Sequence, residues 1–81
     1  MNIAKIFILN EELKECLIVL NNHNESKAIA LSNIEHWSSH EDLFGNLEQA
    51  MMRIPTIDSE IEITTNQIKE IINQLCIIQN Q

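Results

Sequence analysis

Apolar residues in the last third of the chain recur at alternating steps of three and four. Ile61, Ile68, Ile71, Leu75 and Ile78 carry the pattern, with Thr64 filling the one gap. That is the seam of a helix packed lengthwise on a neighbour. Ser59, followed three residues on by Glu62, makes a capping box, so the spacing predicts a helix over 59–79, with fraying at Gln79–Gln81. Ile61–Thr65 is β-branched throughout, so a short extended piece before a helix starting at Thr65 is the local alternative. A lone helix of this length is marginal in water and needs a surface to dock on.

The N-terminal segment has the same rhythm. Ile6, Leu9, Leu13, Cys16 and Leu20 step by three and four, and Ile3 and Leu17 widen the stripe. A helix over 2–22 follows, ended by the amide-rich Asn21–Asn24, whose short side chains compete for backbone hydrogen bonds. The rival is an α+β fold with a strand near 3–9 and Asn10 capping a shorter helix. A second helix is expected over 26–37, from Ala28, Leu31, Ile34 and Trp37 with Ser26 as its N-cap. A third is expected over 40–54, from Leu43, Phe44, Leu47, Ala50, Met51 and Ile54. Ser39 and Asp42 would open it as a variant capping box, and Pro55 would stop it. Gly45 would weaken it by about 1 kcal/mol relative to alanine. The expected fold is therefore all-α, a single domain over 1–81 built as a small bundle of four helices.

Composition supports helices. A single Gly and a single Pro are too few for the turns of a sandwich or barrel. With aromatics at 4%, the core must be largely Ile and Leu. The formal charge is −7, from twelve acidic against five basic residues. Lys5, Lys14, Lys27, Arg53 and Lys69 stand apart, so direct binding to nucleic acid or to an anionic membrane is disfavoured. The apolar run Ile6–Leu9 is too short for a signal-peptide core, and no run approaches the roughly 18 residues of a membrane span. Cys16 and Cys76 both fall on apolar stripes and read as reduced core thiols, which points to the cytoplasm.

Candidate chemistry is sparse. His36 and His40 have the four-residue spacing of paired metal ligands, but the further ligands of a zinc site are missing. Cys16 as a nucleophile would sit between Glu12 and Glu15, which oppose a thiolate. No metal, no cofactor and no enzymatic activity are expected. A helix-turn-helix drawn through Lys27–Ile54 would bring Glu41 and Asp42 to the phosphates, which would repel them.

The informative feature is a surplus of aliphatic side chains. Ile18, Val19, Ile29, Ile63 and Ile77 lie off the main stripes, and a bundle this short cannot bury them all. Met51 and Met52 are adjacent and cannot both face inward; Trp37 is either core filler or an anchor for a partner. The expectation is a small acidic protein-binding module: an adaptor, inhibitor, chaperone-like or antitoxin/immunity-type protein. It would dock on a basic protein partner and form a homodimer. Its partner-binding residues are expected among Glu11, Glu12, Glu15, Trp37, Glu41, Asp42, Glu48 and Met52. An Ile- and Asn-rich composition is common in A+T-rich bacteria and phages. The alternative is an acidic mimic of nucleic acid, with Glu11, Glu12, Glu15 and Glu41, Asp42, Glu48 standing in for phosphates on a nucleic-acid enzyme, as in a phage-type anti-defence protein.

Overall fold

The computed structural model describes residues 2–80. They form two long helices, α1 (Ile3–Ser38) and α2 (Asn46–Gln79), joined by a seven-residue connection and packed side by side as a hairpin. The molecule is a rod of 61 × 15 × 14 Å with a radius of gyration of 18.3 Å. A compact chain of this length would have a radius near 12 Å.

The three-four rhythm explains the rod, because it runs unbroken along both helices. On α2 the buried residues are Ala50, Ile57, Thr64, Ile71 and Ile78, spaced seven apart. Half-buried Leu47, Ile54, Ile61, Ile68 and Leu75 fall between them. On α1 the line Ile6, Leu9, Leu13, Cys16 and Leu20 continues through His23, Lys27, Ala30, Ile34 and Trp37, all buried or half-buried. A strict seven-residue repeat on both partners is the pattern of an antiparallel coiled coil. Its best-packed part is the open end, where Leu9, Ile71 and Ile78 cluster with Ile6, Leu13, Cys16 and Leu75.

A lysine–carboxylate ion pair and a histidine–carboxylate contact cross the seam and mark its register. His23 Nδ1 lies 3.2 Å from Glu60 Oε2, and Lys27 Nζ lies 2.6 Å from Asp58 Oδ1. These pairs bring Leu20 level with Thr64 and Ile6 level with Ile78. Their carboxylates are about half exposed, so each pair contributes at most about 1 kcal/mol. Their larger role is to penalise a slipped alignment, as polar seam residues do in coiled coils.

Two expected helix breaks are absent, and four helices become two. Asn21–Asn24 lies inside α1: Asn21, Asn22 and Asn24 are exposed, and His23 takes the seam position. Three asparagines cost roughly 2 kcal/mol in helix propensity. Breaking the helix there would orphan four carbonyls and four N–H groups and end the seam at Leu20. Pro55 lies inside α2 on its exposed side. It removes the hydrogen bond to the Met51 carbonyl, which water can reach because Met51 is itself exposed. Ile54, Ile57 and Ile61 flank it on the seam. Burial of aliphatic side chains at about 1.5–3 kcal/mol each outweighs the proline penalty of about 3 kcal/mol.

Further expectations change with the breaks. The strand near 3–9 is the start of α1, capped by Asn2, whose side chain accepts from the Lys5 N–H at 3.0 Å. Asn10 and Ser26 are interior to α1, and Ser59 and Ile61–Thr65 are interior to α2. Leu43 and Phe44 sit in the connection at 76% and 81% exposure, not in a core. Gly45 precedes α2 with φ +70, and a Cβ there would meet nothing within 4 Å. Its value is the left-handed backbone rather than a close approach. Cys16 is half-buried on the seam, but Cys76 is exposed; both are free. Gln79 still belongs to α2 and Asn80 caps it, while Gln81 lies outside the described residues. No described helix is long and apolar enough to cross a membrane.

Candidate functional site: an acidic groove and an apolar flank

An antiparallel hairpin has two flanks beside its seam, and here they differ in chemistry. On one flank, Glu12, Glu15 and Glu70 rim an open groove of about 680 Å³ with Cys16 and Ile71 at its base and the exposed Ile63 along its side. Asn66, Gln67 and Gln74 complete it, and no basic residue lines it. The carboxylates come from facing helices because Glu12 and Glu15 stand on this flank of α1 and Glu70 stands at the same level on the matching flank of α2. An apolar floor under three like charges suits a cationic segment with an apolar side. Open along its length, the groove is shaped for a helix or strand rather than an enclosed small molecule.

The structure divides the expected partner-binding residues. Glu12 and Glu15 share the groove; Glu11 is exposed but does not line it. Glu48 and Met52 come together at the other end of the rod, with Leu47, Met51 and Pro55, around a shallow apolar depression. Glu41 is exposed in the connection. Trp37 is half-buried at the end of the α1 seam, its ring edge-on to His36 at 4.7 Å. His36 and His40 stack at 4.1 Å, and His40 Nδ1 lies 2.6 Å from the His36 carbonyl, to which its N–H donates. No group of three or more His, Cys, Asp or Glu side chains that could hold a metal occurs among the described residues. Glu70 escapes sequence reasoning, and Ile63 stands out there only as surplus apolar surface, because their proximity to Glu12 and Glu15 depends on the hairpin register.

Asp42 has a structural role. Its two carboxylate oxygens accept from the N–H groups of Asn46 (2.8 Å) and Leu47 (2.7 Å), closing the first turn of α2. The Leu47 N–H, supported by that of Asn46, holds the Asp42 carboxyl below its ordinary value of 3.8. A depressed carboxylate stabilises the fold above its unfolded pKa, and that contribution disappears as pH falls through the lower folded one. Asp42→Asn is therefore expected to lower the melting temperature at neutral pH. The gap from the parent should shrink as the solution is taken below pH 3.8, which a pH series of thermal melts reads directly.

The five residues assigned to the apolar surplus, Ile18, Val19, Ile29, Ile63 and Ile77, are all exposed, between 42% and 58%. Ile3, Phe7, Leu17, Leu31 and Ile72 join them. Total accessible surface is 6026 Å², whereas a compact protein of this mass exposes roughly 5,000 Å². The chain matches no protein-family model, no curated protein and no solved structure.

Proposed function

We propose that this chain is a small acidic protein-binding module that takes a basic, amphipathic segment of another protein into the groove between its helices. The observation that carries the reading is the placement of Glu12, Glu15 and Glu70 around Cys16, Ile63 and Ile71 with no lysine or arginine among the lining residues. Carboxylates from two helices converge where apolar surface is also offered, so a partner can gain charge pairing and burial at once. Such a module acts by occupancy, as an adaptor or inhibitor does, and needs no chemistry of its own. Two free cysteines, one exposed, are consistent with a reducing compartment.

The nucleic-acid mimic is less well supported. One of its six carboxylates, Asp42, is engaged with the backbone of α2. The two acidic runs also lie in opposite halves of the rod and on different flanks, Glu12 and Glu15 at the groove and Glu48 at the apolar depression near the connection.

The test is a capture from extracts of the cells that carry the protein, run in parallel with a Glu12→Gln/Glu15→Gln/Glu70→Gln variant, with partners identified by mass spectrometry and titrated. The variant should bind on the order of tenfold more weakly, since each partly exposed charge is worth up to about 1 kcal/mol. Between about 50 and 200 mM salt, affinity should fall by less than about tenfold, because part of it is apolar. A loss of about 10³-fold or more is the signature of phosphate mimicry and would replace this reading. A partner whose affinity ignores all three substitutions would remove the groove from the interface.

A further inference from the structure

The second flank, on the far side of the seam from the acidic groove, has a different composition. The Lys27–Asp58 pair lies on it, and Ile3, Leu17, Leu31, Met51 and Ile72 occupy half of the positions next to the seam, each 46–76% exposed. The innermost row on the groove side holds a single apolar residue, Val19, with Ile8, Ile29, Ile63 and Ile77 one step further from the seam. Two shallow apolar depressions mark this flank. One is formed around Leu13, Leu17 and Ile18, the other around Leu47, Met51 and Pro55. They sit at different heights on the rod, one toward the open end and one toward the connection.

We propose that this flank takes a second copy of the chain, the two hairpins pairing antiparallel to form a four-helix bundle. The depression at Leu17 of one copy covers the depression at Met51 of the other, and the two-fold axis repeats the contact. Charge selects the direction. Lys14 and Lys69 are level with each other on this flank near the first depression; Glu35 and Glu48 are level with each other near the second. None of the four makes an ion pair among the described residues. Antiparallel pairing sets the two lysines of each copy against the two glutamates of the other. Parallel pairing would set lysine against lysine and glutamate against glutamate, which costs energy.

Area supports the same occupant. Two separate copies expose about 12,000 Å² between them, whereas a compact protein of twice the mass exposes roughly 8,300 Å². Pairing can therefore cover up to about 3,700 Å², within the range of obligate homodimers. Helical hairpins with an apolar face build four-helix bundles in this way. The acidic groove faces away from the pairing, so it remains open in the dimer, and either proposal can fail without the other.

The experiment is a mass measurement of the full chain by light scattering or sedimentation equilibrium, across roughly 1–100 μM. The expected mass is twice the 9.4 kDa of one chain. Leu17→Glu/Met51→Glu, at exposed positions off the seam, should give a monomer that stays helical by circular dichroism. Lys14→Glu/Lys69→Glu should also give a monomer, and adding Glu35→Lys/Glu48→Lys to that chain should restore the doubled mass. Parallel pairing predicts no loss from the first reversal, because each swapped residue would still face its own kind. A parent chain that is monomeric throughout overturns the proposal. So does a dimer that ignores Leu17 and Met51, or one that the charge reversal leaves intact.

Discussion

Replacing Ile71 with alanine is expected to destabilise the hairpin by about 2–5 kcal/mol, the range for removing a buried aliphatic side chain. Ile71 is 8% exposed, packs with Leu9 and Ile78, and also forms part of the groove floor. A chain of this length has a total stability of roughly 4–12 kcal/mol. The substitution therefore removes a large share, and the variant should unfold at much lower urea. Ile77→Ala is the control: it lies on α2 outside the pairing flank and is 53% exposed, so its loss should cost under about 1 kcal/mol. Urea titrations followed by far-ultraviolet circular dichroism compare the two. Equal losses would mean that the seam runs along a different face of α2, and both the groove and the flank would have to be redrawn.

Replacing Pro55 with alanine should act in the opposite direction. In a continuous helix, proline forfeits one backbone hydrogen bond and crowds the preceding turn, at about 3 kcal/mol relative to alanine. Pro55 is exposed and off the seam, so alanine removes the penalty without leaving a cavity. At about 4–8 °C per kcal/mol for a chain of this size, the melting temperature should rise by more than about 10 °C. A neutral or destabilising result would indicate that the chain turns at Pro55, as reading the proline alone suggests. Glu48, Met51 and Met52 surround Pro55 in the structure, so the residue also shapes the apolar depression near the connection. If Pro55→Ala also weakened the dimer, the proline would be retained for that surface at the expense of helix stability.

Much of this molecule was legible in the sequence. The steps from Ile61 to Ile78 and from Ile6 to Leu20 locate the best-packed part of the seam, and helical content is evident from them. Counting the same steps onward through His23 and Lys27, and backward from Ile61 through Ile57, Ile54 and Ala50, would have joined four helices into two. Local signals argued otherwise: four residues of amide and imidazole, a proline, and Ser26 and Ser59 in capping positions. Each is worth one to three kcal/mol at most. A facing helix that buries ten successive seam positions outweighs them, and a local reading has no access to that partner.

Charge, the surplus of aliphatic side chains and the seven-residue rhythm belong to the amino-acid order alone, because each can be counted without knowing what lies opposite. The rod shape, the convergence of Glu12 and Glu15 with Glu70, the assignment of Asp42 to the α2 cap and the contrast between the two flanks were decided only by the fold. Each depends on which residue of α2 stands level with which residue of α1. That alignment is a property of two helices in contact, held by Lys27 on Asp58 and His23 on Glu60, and neither helix specifies it by itself.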